Sequence, residues 1–384
     1  MRSAVSTESK LPLTGVSIFA KMSALANEHG AINLAQGFPD FHCDPELIRL
    51  VNKAMSDGHN QYAPLAGVPA LREIIAAKTE KLYGASYAPL TEITITSGAT
   101  QAIFTAITAL IRQDDEVIIF SPAYDCYEPA IDLAGGKTVH VTLKQPDFSI
   151  DWTEVRRLVN PKTRMIVLNT PHNPTGAVLN MEDMRELEKI TEDSNIIVLS
   201  DEVYEHIVFD GQQHLSVSRF PKLAERSLVV SSFGKTFHNT GWKMGYIIAP
   251  QELMNEFRKV HQFNVFSANT PVQVALAEFL KDEERYLSLN NFYQDKRDFF
   301  ASAVGASRLT FTPARGTYFQ LLDYSALSDK TDVEYAEELT IKHKLAAIPI
   351  SVFYPTDPGS RLLRFCFAKG EETLEKAAEI LNKL

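Results

Sequence analysis

Five short segments of the chain combine residue types that can do chemistry. Ser97-Gly98-Ala99-Thr100 joins a β-branched run to a helical pattern that starts at Gln101. Small residues let a backbone approach a phosphate, and a helix N-terminus offers free N–H groups and a positive dipole end. An ordinary strand–helix turn has the same composition. Ser121-Pro122-Ala123-Tyr124 closes a second apolar run, with an aromatic that either stacks on a flat ligand or fills a core. In Asn169-Thr170-Pro171-His172-Asn173-Pro174-Thr175-Gly176, two prolines and a glycine stiffen a turn. That stiffness could orient the Asn173 amide, or serve the turn alone. Ser200-Asp201-Glu202-Val203-Tyr204 places two carboxylates after an apolar run, where they are costly unless paired. Asp201 could cap a helix or hold a cationic ring nitrogen.

The fifth segment is Ser231-Ser232-Phe233-Gly234-Lys235-Thr236. Its Gly-Lys-Thr ending matches part of a phosphate-binding P-loop, but Val229 stands where that loop needs its first glycine. The chain also has no GxGxxG dinucleotide fingerprint. A lone lysine is ordinarily a solvated surface charge. Burial after an apolar strand would instead lower its pKa and make the amine nucleophilic.

Elements must bring these segments together. Apolar and β-branched runs predict strands at Glu92–Thr96, Glu116–Phe120, Lys137–Leu143, Arg164–Asn169, Asn195–Ser200, Ser227–Ser232 and Met244–Ala249. Met165-Ile166-Val167-Leu168 and Ile196-Ile197-Val198-Leu199 are continuous, as in strands covered on both faces. Between the first two strands, Ile103, Phe104, Ile107, Leu110 and Ile111 fall on one face of a helix from Gln101 to Arg112. The alternation predicts an α/β fold with a mainly parallel seven-stranded sheet. Beyond about residue 280, Gly316–Asp323 and Arg361–Ala368 read as strands, the second with Leu363, Phe365 and Phe367 on one face and Arg364 on the other. A helix carrying Leu374, Ala377, Ala378, Leu381 and Leu384 closes the chain. We therefore expect an irregular N-terminal arm over 1–45 that rejoins a small α+β domain at 281–384 or crosses to a partner, and a large domain over 46–280.

The length of 384 residues agrees with two domains at about 150 residues each. A net charge of −10 disfavours duplex nucleic acid and anionic membranes as partners. Cys43, Cys126 and Cys366 are far apart with no CxxC pair, which argues against structural zinc and for a reducing compartment. No apolar run approaches the about 20 residues of a membrane helix, and Met1 to Lys21 does not read as a secretory signal. Cytoplasmic residence is the resulting expectation.

Ligands of open α/β sheets gather outside the carboxyl ends of the strands. There the five segments would offer a phosphate cradle, a stacking ring, an amide, a carboxylate and a lysine amine. Pyridoxal 5′-phosphate asks for that set, because its aldehyde condenses with a lysine and its ring nitrogen needs an acid.

At these residues the chain resembles the class I aminotransferases of the pyridoxal-phosphate fold type I. The resemblance extends from Asn33-Leu34-Ala35-Gln36-Gly37-Phe38-Pro39-Asp40 to Arg364-Phe365-Cys366-Phe367, through Asn173-Pro174-Thr175-Gly176, Asp201-Glu202-Val203-Tyr204 and Ser232-Phe233-Gly234-Lys235. Asn60-Gln61-Tyr62-Ala63-Pro64 and Gly241-Trp242-Lys243-Met244-Gly245 are similar to segments of bacterial methionine aminotransferases and kynurenine/glutamine transaminases. The resemblance implies a set of roles. Lys235 would join the cofactor and later shuttle the proton, and Asp201 would pair with the ring nitrogen. Asn173 and Tyr204 would bond the ring oxygen, and Tyr124 would stack on the ring. Ala99, Thr100, Ser232 and Lys243 would hold the phosphate, Lys243 standing where many relatives have the two-pronged Arg. Tyr62 would reach the phosphate from a neighbouring subunit, making a homodimer necessary. Arg364, assisted by Gly37 and Asn173, would clasp the substrate α-carboxylate. Phe19, Phe38, Tyr62 and the partner-supplied Phe266 would wall the side-chain pocket.

The implied activity is ping-pong transfer of an amino group from a neutral, sulfur-containing or aromatic L-amino acid to a 2-oxo acid, with no metal. An aromatic, mostly uncharged pocket suits methionine, glutamine, leucine, phenylalanine or kynurenine better than aspartate. A carbon–sulfur β-lyase acting on cysteine conjugates shares the fold and the lysine and is the alternative. A non-catalytic regulator would carry an added basic DNA-binding segment, which this acidic chain does not show.

Overall fold

The computed structural model describes residues 8–12 and 14–384, so residues 1–7 and 13 of the expected N-terminal arm lie outside it. In chain order the strands are β1 Ile32–Asn33, β2 Ile93–Thr96, β3 Glu116–Ser121, β4 Lys137–Thr142, β5 Thr163–Asn169, β6 Ile197–Asp201, β7 Ser227–Ser232, β8 Gly245–Ile248, β9 Phe319–Asp323, β10 Leu345–Ala346, β11 Ile348–Pro349 and β12 Leu362–Cys366. Seven of them form one sheet in the order β2-β8-β7-β6-β5-β3-β4. Strand β8 runs antiparallel to both neighbours, and the other pairings are parallel. Its reversal brings the amino end of β8, with Lys243 just before it, to the edge where the other strands end. The register aligns Asn169 with Asp201, Asp201 with Val230, and Ser232 with Gly245.

Alternate residues of the continuous apolar runs enter two separate cores. Val117, Ile119, Met165, Val167, Ile197 and Leu199 face one, and Ile118, Phe120, Ile166, Leu168 and Val198 face the other. Each such side chain contributes about 1.5–3 kcal/mol on burial, so a slip of one residue would exchange two already filled faces. The first core is completed by the helix Ala99–Leu110 through Ala102, Ile103, Ala106 and Ile107. This helix starts two residues before the expected Gln101. Gly98, at φ 83° and ψ 168°, makes the entry turn, a conformation that a side chain would strain.

A second sheet, in the order β11-β12-β9, is antiparallel. It is shorter than the expected runs: Gly316 pairs with Val208 in an isolated bridge, and the first regular residue of β9 is Phe319. Leu363, Phe365 and Phe367 are buried as expected, but Arg364 on the opposite face is buried too. The helix Glu371–Leu381 buries Leu374, Ala377, Ala378 and Leu381.

The N-terminal region departs from the expectation of irregular chain. Ile18–His29 is a helix, capped by the Ser17 hydroxyl and closed by Gly30 at φ 59°. It buries only Met22 and Ala26, too few for a clear periodic signal. Strand β1 follows and pairs in parallel with β10, and Leu34 accepts a backbone hydrogen bond from Cys366. The segment thus joins the small sheet and delivers Gly37 beside Arg364.

Gly245 is where β8 meets the start of the helix Ala99–Leu110. A Cβ there would lie 2.7 Å from the Ser231 carbonyl oxygen and 3.1 Å from the Ala99 nitrogen. Gly245→Ala should cost about 1–3 kcal/mol of stability by overpacking, measured by urea denaturation.

Candidate active site

A pocket lies at the carboxyl edge of the large sheet, the place where ligands of such sheets bind. Its lining comes from the strand ends of β2, β5, β6 and β7 and from the segment before β8. Of the expected cofactor-site residues, Ala99, Thr100, Tyr124, Asn173, Asp201, Tyr204, Ser232, Lys235 and Lys243 all line it. Tyr62 does not.

One end of the pocket suits an anion. The helix beginning at Ala99 has no side-chain cap, so the amides of its first turn are unspent. Lys243 approaches closely: a Cβ on Gly98 would lie 3.4 Å from its Cε and 3.6 Å from its Nζ. Ser232 lines the same pocket, and Thr100 Oγ1 lies 3.5 Å from the Tyr124 hydroxyl.

The other end holds an amine and a carboxylate. Lys235 sits in the single helical turn Phe233–Thr236 after β7. Its Nζ donates to the Gly37 carbonyl at 3.0 Å. Burial, reinforced by the positive charges of Arg364 and Lys243, outweighs the pull of Asp201 and lowers its pKa to about 8. A neutral, nucleophilic amine is therefore accessible near neutral pH. Asp201 ends β6. Burial raises its pKa to about 6, against the hydrogen bonds that favour its charge. The Tyr127 hydroxyl donates to Asp201 Oδ2 at 2.6 Å, and Asn169 Nδ2 donates to the Asp201 carbonyl at 3.0 Å. Asn169 Oδ1 also accepts the Asn173 N–H at 2.8 Å, tying the ends of β5 and β6 together.

Arg364 is 1% exposed. Its Nη1 donates to Asn173 Oδ1 at 2.8 Å and its Nη2 to the Ala35 carbonyl at 2.9 Å, while its buried Nε has no partner among the described residues. Phe319 and Phe19 flank it, with ring centroids 4.0 and 5.3 Å from Cζ. A guanidinium with a spare buried donor is suited to a carboxylate. Gly37 packs so closely that a Cβ would meet Phe319 at 2.9 Å. Its carbonyl is engaged by Lys235 and by the Tyr318 hydroxyl at 2.7 Å.

The remaining expected wall residues lie elsewhere on the chain. Tyr62 is 80% exposed, and its ring meets the exposed Phe266 edge-on at 5.1 Å. Phe38 is exposed beneath Lys369, whose Nζ is 5.1 Å from its ring centroid. Sequence reasoning did not find Tyr127, Asn169 or Tyr318. Tyr127 and Tyr318 bond groups 74 and 281 residues away, and no local pattern marks such pairs. Asn169 stood inside a motif that drew attention to Asn173 instead.

The Gly98–Thr100 cradle with Lys243, the Lys235 amine and the buried Asp201 together fit a phosphate-bearing aldehyde with a basic ring nitrogen.

The chain is similar to known proteins over nearly its whole length. The family model for aminotransferase class I and II matches residues 29–381. The chain is 51% identical over 378 residues to a methionine aminotransferase of Escherichia coli strain K12, covering 98% of each. It is 34% identical over 394 residues to the human kynurenine–oxoglutarate transaminase 1, covering 94% of this chain and 93% of that one. It superposes on the crystal structure of YbdL from Escherichia coli, reported to have methionine aminotransferase function, with a TM-score of 0.97 at 51% identity, covering 99% and 100% of the two chains.

The raised pKa of Asp201 makes a testable link to stability. Its neutral form is favoured in the fold, so its contribution is complete below the ordinary value of 3.8 and is lost as pH rises through about 6. Asp201→Asn should therefore stabilise the cofactor-free protein at pH 7.5 by on the order of 2–3 kcal/mol. That gain should vanish near pH 4 when melting is followed at both pH values.

Proposed function

The chain belongs to the class I and II aminotransferases, and we propose that it exchanges the amino group of a neutral, sulfur-containing or aromatic L-amino acid for the oxo group of a 2-oxo acid. The observation that carries this reading is the buried Lys235 amine sharing one pocket with Asp201 and the Gly98–Thr100 helix start. The similarity to a methionine aminotransferase and to a kynurenine–oxoglutarate transaminase supports the substrate class.

Pyridoxal 5′-phosphate is the cofactor we assign. Bound, it would supply an aldehyde for amine exchange and a ring that accepts the electron pair left when the Cα proton departs. Ala99, Thr100, Ser232 and Lys243 would hold its phosphate, Tyr124 would stack on the ring, and Asn173 and Tyr204 would bond the ring oxygen. Asp201, oriented by Tyr127, would keep the ring nitrogen protonated. The Lys235 Nζ, neutral at a pH near its lowered pKa, would take the Cα proton and deliver it again one carbon away. Such positioned proton transfer is worth about 10²–10⁴-fold. Arg364 and the Gly37 N–H would clamp the α-carboxylate, fixing the Cα–H bond toward Lys235. In the first half-reaction the amino acid would leave its amino group at the site, take its oxo oxygen from water and depart as the 2-oxo acid. The second 2-oxo acid then receives it, so the two substrates use one pocket in turn.

Phe19, its ring centroid 5.3 Å from Arg364 Cζ, would give the substrate side chain an apolar wall. Tyr62 and Phe266, exposed and stacked edge-on, are read as residues donated to the site of a second subunit, with Phe38 nearby. We take residues 46–280 as the cofactor domain and 281–384 with part of 1–45 as the smaller one. No helix of the described residues is long and apolar enough to cross a membrane. The three free thiols suit the reducing cytoplasm.

Lys235→Ala should abolish steady-state transamination, and retained turnover would refute the assignment. Arg364→Ala should raise KM for the amino acid by about tenfold or more, as expected for losing hydrogen bonds to a charged group. A screen of amino donors on purified protein should favour methionine, glutamine, phenylalanine or kynurenine over aspartate. Preference for aspartate would overturn the pocket reading, and pyruvate released from a cysteine conjugate without any oxo acid would indicate lyase chemistry.

A further inference from the structure

The turn that follows β6 has two sides. Asp201 and Tyr204 line the pocket. Glu202 and Glu205, offset by one residue and likewise three apart, enter a buried polar layer behind it. Glu202 Oε1 accepts from the Ser200 hydroxyl at 2.8 Å and the Val217 N–H at 3.1 Å, and its Oε2 lies 2.7 Å from His214 Nε2. Glu205 Oε1 accepts from Lys78 Nζ at 2.7 Å, the Tyr246 hydroxyl at 2.9 Å and the Ser231 hydroxyl at 3.0 Å. The Tyr83 hydroxyl donates to its other oxygen, and Lys78 Nζ also donates to the Tyr246 hydroxyl at 2.8 Å.

We propose that Glu205 and Lys78 are positioning residues that hold three walls of the cofactor site in register. Glu205 belongs to the turn that presents Asp201 and Tyr204. Ser231 precedes the pocket residue Ser232 and lies four residues before Lys235. Tyr246, on β8, follows two residues after Met244, which lines the pocket beside Lys243. Lys78 and Tyr83 come from the helix Pro69–Tyr83, which anchors the cluster from outside the sheet. One carboxylate thus joins the segments that carry the carboxylate, the amine and the phosphate end of the site.

Two observations favour a positioning role over plain stability. First, backbone bonding to the large sheet lapses along the turn: Glu202 N–H still bonds Val230 on β7, whereas Glu205 N–H bonds Glu202 within the turn and the Ile207 carbonyl accepts from Thr317, outside that sheet. The side chains of the turn supply the connection to the sheet. Second, the side chains of Lys78 and Glu205 are only 7% and 5% exposed. A buried ion pair stabilises little compared with apolar residues of the same volume, so its presence is better explained by the geometry it imposes. Burial would raise the Glu205 carboxyl, but Lys78, His206 at 3.8 Å and the hydrogen bonds together hold it below its ordinary range. The Glu205 carboxylate therefore stays ionised across the working pH.

The proposal rests on the reading of the site given above, and the test separates the two. Pyridoxal 5′-phosphate is titrated into cofactor-stripped protein, and its absorbance band is followed against pH. The double variant Lys78→Met with Glu205→Gln removes both charges and should melt within about 5 °C of the parent chain. Its dissociation constant for the cofactor should rise about tenfold, as misplacement remote from the chemistry allows. The pH midpoint of its band should move by about half a unit or more. A parent chain with no band at all would defeat the reading of the site. A parent chain with a normal band, and a double variant matching its affinity and midpoint, would defeat the positioning proposal alone. If the double variant does not fold, Ser231→Ala and Tyr246→Phe each remove one hydrogen bond and should weaken cofactor binding about two- to threefold. No change in either then overturns the proposal.

Discussion

An amine and a carboxylate in one cleft, and a guanidinium bonded to the Asn173 that lines it, are withdrawn from water, and the rest of the structure answers to that cost. Desolvation dominates all three: it lowers Lys235, raises Asp201 and lowers Arg364. In water each would be an ordinary ion. Here each is poised to gain from a ligand of complementary charge, because the protein's own partners satisfy it only in part. Tyr127 gives Asp201 a hydrogen bond but no countercharge, and Asn173 and Ala35 leave Arg364 Nε unmatched. The recognition energy is held in incomplete pairing, which a purely stabilising core would not tolerate.

Keeping such groups incompletely paired requires a rigid frame, and the sheet supplies it. Two filled cores pin β3, β5, β6 and β7 from opposite faces. The reversed β8 brings Lys243 to the edge where the parallel strands end. Gly245 lets the Ala99 amide approach, and Gly37 lets Phe319 and Arg364 pack against the backbone whose carbonyl holds the amine. Where the strands stop and the backbone ladder ends, buried side chains continue the work. Asn169 ties β5 to β6, and the Glu205 cluster ties the turn to β7, β8 and a flanking helix. The small sheet contributes from the other side through Arg364, a residue of a regular strand rather than of a loop.

The local patterns that were legible share one property: their side chains meet neighbours through a regular period. Met165–Leu168 reads as a covered strand because every residue is buried, and Gln101–Leu110 reads as a helix because one face is apolar. The helix Ile18–His29 shows it weakly, since it fully buries only Met22 and Ala26 while Ile18, Phe19 and Leu25 pack half-buried against the core. Its position was visible only as a gap between motifs. The same holds at the site. Lys235, Asp201 and Asn173 could be named because each stands in a short unusual segment, and Arg364 only through the resemblance to the class I aminotransferases. Tyr127 and Tyr318 could not, because an isolated tyrosine carries no mark of the distant carboxylate or carbonyl it bonds.

By itself, the sequence determined the family, the residue types on offer and the alternation of strands and helices that builds the large sheet. These follow from residue type and short-range spacing, which folding does not alter. Tertiary structure alone decided which groups lose their water, and therefore their protonation. It also decided that Tyr62 and Phe266 stand together outside the pocket, and that a single carboxylate at Glu205 links a helix, a turn and two strands. Those outcomes depend on distances between residues far apart in the chain, and such distances exist only once both cores have closed.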